Sequence, residues 1–204
     1  MRRLLMLALA LCLLAVPAAA RTVFDYGWED GGTILGQYGN IEAYNVCFTT
    51  DPVHAGCYSL KLVDQDAGTP QAYVAAVWNL VDGDVVTAGF WRYDTTPAAY
   101  PSARIWGHWN DSLPGDINGY NGSASGNYDY GPGEGWDYVE FSWTVSSGHT
   151  GLIVEARTYG DPGAEVWIDD LHIDIPDHAY VQVPGECPVS AEEQTWGGVK
   201  AMFR

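Results

Sequence analysis

Short runs of β-branched and aromatic residues, separated by turn residues, recur along most of the chain. Eight such runs lie between residues 40 and 174, with turns such as "VDGD", "SSGHTG" and "GDPGAE" among their connections. Strands of this length and spacing are typical of antiparallel sandwiches and barrels. Parallel strands would need crossovers of about a dozen residues or more, and no helical segments supply them. The sequence therefore predicts an all-β, antiparallel fold.

The first twenty residues have the three regions of a secretory signal peptide. Two arginines are followed by an apolar run from Leu4 to Val16 and by small residues at 18–20. The run is short for a membrane span, although a transmembrane anchor is the alternative. We expect residues 1–20 to be a signal peptide, residues 21–175 to form one sandwich domain, and residues 176–204 to form a linker and a tail. The protein is then secreted or held at the cell surface, without membrane insertion.

The C-terminal tail has its own features. Trp196, Val199 and Phe203 recur at helical spacing, so we expect a short amphipathic element over the last eleven residues. The ending "TWGGVKAMFR" resembles the C-termini of assorted exported bacterial proteins. That resemblance implies a partner in export or surface-attachment machinery; a frayed terminus is the alternative.

The charge of the chain excludes some partners. It has 26 acidic residues against 9 Lys and Arg, which gives a formal net charge of −17. Nucleic acid and anionic membrane surfaces repel such a chain. The same repulsion argues against a polyanionic glycan as the preferred partner.

The cysteines permit a disulfide but do not require one. Cys47 and Cys57 enclose a short loop, and export would place them in an oxidising compartment. We therefore predict a Cys47–Cys57 disulfide, with two free thiols as the alternative and Cys187 left over in either case. No CxxC or Cys/His spacing indicates zinc.

Five motifs in a fixed order carry a family resemblance. They are "DYGWEDGG" (25–32), "HAGCYSLKL" (54–62), "VWNLVDGDVVTAGFWRYD" (77–94), "EGWDYVEFSWTV" (134–145) and "AEVWIDDLHID" (164–174). The series resembles the CenC-like carbohydrate-binding modules, which belong to the galactose-binding-like group. The resemblance implies a two-sheet antiparallel jelly-roll β-sandwich and a non-catalytic protein that binds polysaccharide.

The same resemblance implies a structural calcium ion that joins the first strand to the last. Carried over, its ligands are Glu29 and Asp169, with backbone carbonyls near His54 and with Asp170 as a competing ligand. Calcium prefers such hard oxygen ligands. Solvated turn acids are the alternative.

Alternation along three strands divides their side chains between a core face and an outer face. We expect Phe90, Ile105 and Val154 to be core residues, so the residues next to them in sequence point outward. We expect one outer face to collect the following aromatic and hydrogen-bonding residues: Trp91, Tyr93, Trp106, His108, Arg104, Glu155, Arg157 and Tyr159.

Such a face suits neutral polysaccharide, because aromatic rings stack on sugars and polar groups bond their hydroxyls. Trp106, in "ARIWGHWND", is the residue of this face to mutate first. Residues 110–135, with Tyr120, Tyr128 and Tyr130, are expected to form a long surface loop that either flanks a ligand or is flexible.

Two other functional classes remain open. Glycosidases need a pair of carboxylates, and Glu155 with Glu134, Asp137 or Glu140 could be nominated in so acidic a chain. No nucleophile elbow, phosphate loop or metal-hydrolase spacing appears. A structural or cell-surface interaction protein would use the same sandwich without binding glycan.

Overall fold

The computed structural model describes residues 20–98 and 100–185 and the backbone of residues 189–190. Within these ranges the chain forms strands and no helix, so no helix there could cross a membrane. The strands are β1 (Arg21–Tyr26), β2 (Gly36–Tyr38), β3 (Ile41–Cys47), β4 (Tyr58–Asp64), β5 (Gln71–Trp78), β6 (Val85–Asp94), β7 (Ser102–Trp109), β8 (Ser123–Gly126), β9 (Gly135–Thr144), β10 (Gly151–Tyr159), β11 (Glu165–Pro176), β12 (Tyr180–Gln182) and β13 (Val189–Ser190). The expected signal peptide, apart from Ala20, and the expected tail from residue 194 lie outside the described residues, as does Cys187.

The strands form two antiparallel sheets. The first has the order β3-β4-β11-β6-β9, with β1 also paired to β11; the second has the order β13-β12-β5-β10-β7-β8, with β2 also paired to β5. All eight predicted runs are strands, and the predicted all-β sandwich is confirmed.

The core lies between the inner faces of the two sheets. Phe90, Ile105 and Val154 are fully buried in it, as the alternation predicted. Because side chains alternate across a strand, this register turns Trp106 and His108 to the outer face of β7. The register of the "ARIWGHWND" strand is thus confirmed.

The sandwich continues past residue 175, where the sequence analysis ends it. β12 pairs with β5, and Val181 and Val183 are buried in the core. Residues 176–183 therefore belong to the sandwich rather than to the expected linker, because two apolar side chains and a row of backbone bonds hold them there.

The segment 110–135 is folded onto the outer face of the second sheet. Leu113 and Ile117 pack against a small apolar cluster that includes Tyr73 and Ile153. The segment also contributes β8, which pairs with β7. The segment is so rich in Gly, Asn, Asp and Ser that its few apolar contact residues gave no detectable pattern. In the structure it forms one wall of a cleft, which is described below.

The predicted Cys47–Cys57 disulfide is wrong: both cysteines are free thiols. Cys47 lies opposite Tyr58 in the β3–β4 pair, and the carbonyl of Cys57 accepts from Phe48 N at 3.1 Å. The two cysteines therefore occupy neighbouring rungs. Side chains on neighbouring rungs point to opposite faces of a sheet, so these two diverge.

Candidate functional site

A cleft of about 630 Å³ opens on the outer face of the second sheet. Its size falls in the range typical of ligand pockets. The floor comes from β5, β7 and β10, and the walls come from β2 and from the segment that follows β7. The cleft is lined by Tyr38, Thr69, Gln71, Tyr73, Trp106, Gly107, His108, Asn118, Tyr120, Ser123, Glu155 and Arg157.

A buried carboxylate organises the floor of the cleft. Glu155 is 1% exposed, and its Oε1 lies 2.5 Å from His108 Nδ1. With its amide oriented to satisfy both neighbours, Gln71 donates to the two Glu155 oxygens at 3.0 and 3.1 Å. The other ring nitrogen of His108 lies 3.2 Å from the carbonyl of Gly119. Glu155 therefore ties β5 and β7 together and, through His108, holds the wall segment in place.

Tyr73 stands beside this carboxylate. Its ring lies 5.1 Å from that of His108 in an edge-to-face arrangement. Burial, followed by the negative charge of Glu155, raises the pKa of Tyr73 to about 12. Because both effects disfavour the phenolate, the hydroxyl stays protonated at neutral pH and can donate a hydrogen bond.

Arg157 is held in position on the same floor. The amide oxygen of Gln71 accepts from Arg157 Nε at 3.1 Å and from Nη2 at 2.6 Å. The guanidinium carbon lies 4.4 Å from the centre of the Trp106 ring. One edge of the guanidinium is thus fixed by Gln71 and its plane is supported by an aromatic ring.

Trp106 is a support rather than an exposed platform. It is only 7% exposed, and its Nε1 donates to Ser123 Oγ at 3.1 Å. Arg157 covers it, and Tyr128 packs edge-to-face against it at 5.1 Å. β8 also approaches closely, since a Cβ on Gly126 would lie 2.6 Å from Trp106 Cα.

The exposed rings of the cleft are two tyrosines on its rim. Tyr38 is 65% exposed and Tyr120 is 68% exposed. Tyr120 was among the three tyrosines of the segment that the sequence analysis expected either to flank a ligand or to be flexible. Tyr38 was missed, because a three-residue strand leaves no periodicity to detect. Gln71 and Tyr73 were missed as well, because β5 is buried on both faces and shows no alternation.

Four of the eight predicted site residues line the cleft, and two more lie beside it. Trp106, His108, Glu155 and Arg157 are on its floor. The other two are Arg104 and Tyr159. Arg104 donates a hydrogen bond to the hydroxyl of Tyr159. Its guanidinium carbon also lies 4.4 Å from the centre of the Tyr130 ring.

Trp91 and Tyr93 do not belong to this face. They lie on β6, in the first sheet, so the prediction that all eight residues share one face is wrong. Alternation correctly turned both outward from the core but could not show to which sheet β6 belongs. His54 stacks on Trp91 at 4.0 Å, and Tyr93 packs edge-to-face against Trp136.

The two predicted calcium ligands and the competing Asp170 all lie close to Gly27. A Cβ at Gly27 would lie 3.6 Å from Asp170 Oδ1, 3.9 Å from Glu29 Cγ and 4.0 Å from Asp169 Oδ1. Backbone N–H groups at 54–55 bond Asp169 Oδ2, and those at 57–58 bond Glu29 Oε1. Glu29 Oε2 takes no hydrogen bond within the described residues, and Asp169 Oδ1 takes one, from Asp170 N.

These carboxylates fit a calcium ion in the chemistry of their donors. Each keeps an oxygen with a free lone pair, and such hard oxygens are what calcium requires. Burial raises the pKa of Asp169 to about 6. The described residues contain no group of three or more His, Cys, Asp or Glu side chains that could hold a metal. Backbone carbonyls would therefore have to complete the coordination shell.

No protein-family model matches the chain, and no curated protein matches it. Solved structures do. The CBM22-1 xylan-binding domain from Paenibacillus barcinonensis Xyn10C is similar with a TM-score of 0.54 and 15% identity, over 78% of this chain and 97% of that one. The CBM22-1–CBM22-2 tandem domain of the same protein gives 0.51 and 16% identity, over 79% and 47%. At these identities the likeness shows the fold: the jelly-roll β-sandwich of carbohydrate-binding modules.

Proposed function

We propose that the protein is a secreted, non-catalytic carbohydrate-binding protein that holds polysaccharide in the cleft of the second sheet. The observation that carries this proposal is the composition of the cleft. Two exposed tyrosine rings stand at its rim, and hydrogen-bonding groups that are already held in place line its floor. Sugars are bound by such a combination, because rings stack on their C–H faces and polar groups meet their hydroxyls.

The similarity to a carbohydrate-binding module supports the proposal of glycan binding and suggests a first ligand to test. The CBM22-1 domain with the same fold is a xylan-binding domain, so xylan is the first polysaccharide to test. Membership of the CenC-like family, secretion by the N-terminal signal and attachment through the C-terminal tail stay part of the proposal.

The carboxylates around the cleft support a binding role rather than glycoside hydrolysis. Glu155 is the only Asp or Glu among the described residues that line it. Its oxygens are occupied by His108 and Gln71. The residues nominated as its partners, Glu134, Asp137 and Glu140, lie on or beside β9 in the other sheet. Hydrolysis needs two carboxylates flanking one glycosidic bond.

Alanine substitution of the rim tyrosines tests the proposal. We expect Tyr38→Ala and Tyr120→Ala each to weaken polysaccharide binding about five- to tenfold, the loss expected for one stacked ring, and the double variant to lose more. Retention in affinity gels that contain xylan, β-glucan or galactan measures this, after a glycan array has identified the best ligand.

Tyr44→Ala is the matched control, because Tyr44 is an exposed tyrosine on β3 of the first sheet. Its retention should equal that of the wild type. If the Tyr38/Tyr120 double variant also matched the wild type on every retained polysaccharide, the cleft would not be the binding site.

Calcium is the second part of the proposal. We expect calcium added to chelator-treated protein to raise the melting temperature by about 5 °C or more when its concentration is a hundredfold above Kd. Asp169→Asn should abolish this rise, whereas Glu165→Gln, at a half-exposed glutamate that pairs with Lys61, should keep it. Equal melting temperatures with and without calcium would remove the ion from the proposal.

A further inference from the structure

Two arginines stand out among the cationic side chains of the described residues. There are five Lys and Arg residues in this part of the chain. Arg21, Lys61 and Arg92 each have a carboxylate within 2.9 Å. Among the described residues, no carboxylate lies within 4 Å of Arg104 or Arg157, although the chain has 26 acidic residues. The unpaired arginines therefore call for an explanation.

The arginines without carboxylate partners are also neighbours. Arg157 on β10 lies directly opposite Arg104 on β7 in the strand register. Like charges in that position destabilise a sheet. Their guanidinium carbons lie 4.4 and 5.5 Å from the ring centre of the same residue, Trp106. Within the described part of the chain, the second sheet thus has two adjacent positive charges without an acidic partner, in a strongly acidic protein.

Arg104 is not the residue that a ligand reaches. It is 7% exposed, donates to the carbonyl of Tyr128 at 3.1 Å, and lies 4.2 Å from the ring centre of Tyr159. Aromatic rings stabilise its charge through cation–π contacts. Arg104 adds positive potential beneath the cleft, and Arg157 is the arginine that lines the cleft itself.

Arg157 offers one complete edge to a ligand. Gln71 occupies the Nε–Nη2 edge of its guanidinium. Nη1 has no hydrogen bond within the described residues, so the edge formed by Nη1 and the second proton of Nη2 is available. This planar pair of donors matches a carboxylate, which binds it with two parallel hydrogen bonds.

The carboxylate of the cleft, Glu155, does not bind the free edge of the Arg157 guanidinium. Glu155, two residues before Arg157 on the same face of β10, is engaged with Gln71 and His108 instead. Gln71 separates the two charges and fixes the orientation of both. The cleft therefore fixes the Arg157 guanidinium in place without pairing it with a carboxylate of the described residues.

We propose that the cleft binds a glycan through the carboxylate of a uronic acid unit, with Arg157 as the residue that selects it. This inference rests on the proposed function and names the ligand class of the same site. The net charge of −17 repels densely charged polyanions. The ligand is therefore a largely neutral polysaccharide with isolated uronic acid units. It differs from the fully neutral polysaccharide that the sequence analysis expected.

Paired oligosaccharides test this directly. The probes are xylo-oligosaccharides that carry single glucuronic acid substituents, each beside its carboxyl-reduced form, titrated calorimetrically into the protein. We expect at least one acidic member to bind about tenfold or more tighter than its reduced partner. Added salt should shrink that preference.

Variants assign the preference to Arg157. Arg157→Gln should bring the acid-to-reduced affinity ratio close to one, and Arg157→Lys, which keeps the charge without the planar fork, should leave an intermediate ratio. Arg21→Gln, at an ion-paired arginine of the first sheet, should keep the wild-type ratio. Equal binding of acidic and reduced forms would overturn the inference while leaving glycan binding intact. An absence of binding to any glycan would overturn the proposed function as well.

Discussion

Replacing Glu155 with alanine is expected to lower the free energy of unfolding by about 3–5 kcal/mol, because two buried side chains, His108 and Gln71, each lose a hydrogen-bond partner at a cost of about 1–3 kcal/mol. Glu155 and His108 are 1% and 3% exposed, so water has little access to the groups that the carboxylate satisfies. The Gln71 amide would also lose both of its acceptors. Denaturation by urea at neutral pH, followed by tryptophan fluorescence, measures the change.

The matched control is Glu165→Ala, which removes a glutamate that pairs with Lys61 and whose side chain is 42% exposed. A surface pair of this kind contributes at most about 1 kcal/mol. The Glu155 variant should also bind glycan less well than its folded fraction predicts, because Gln71 and His108 would no longer hold Arg157 and the wall segment. Similar stability for the two variants would mean that Glu155 does not organise the floor.

The sequence predicts the strands well, because their signal is local. Eight runs of β-branched and aromatic residues are strands, and alternation correctly buries Phe90, Ile105 and Val154. The missed strands β2, β8, β12 and β13 are two to four residues long, and tertiary contacts stabilise them rather than their own composition. β1 was expected only from the resemblance.

The assembly of the site could be predicted only in part, because it depends on which strands share a sheet. Trp91 and Trp106 both turn outward, yet they lie on opposite sides of the sandwich. The hydrogen-bond network around Glu155 could not be predicted for the same reason. Gln71, which bonds Glu155, comes from β5, and the Gly119 carbonyl, which contacts His108, comes from a segment with no periodicity. Pairing across the chain brings these groups together, and local patterns do not encode it.

Replacing Trp106 with alanine is expected to damage both stability and binding. Removing a large, almost fully buried ring costs about 3–5 kcal/mol. It would also remove the surface on which Arg157 rests and the donor to Ser123. Binding of the best glycan ligand should therefore weaken about tenfold or more in the folded protein, as measured by calorimetry at a temperature well below the melting point.

Trp91→Ala separates this effect from the general cost of losing a tryptophan. Trp91 lies on the outer face of the other sheet, where His54 stacks on its ring. Its loss should reduce stability but leave glycan affinity within about twofold of the wild type, because additivity holds for distant sites. If Trp91→Ala weakened binding as much as Trp106→Ala, glycan would contact the first sheet as well. If only Trp91→Ala weakened it, the binding site would lie on the first sheet and not in the cleft.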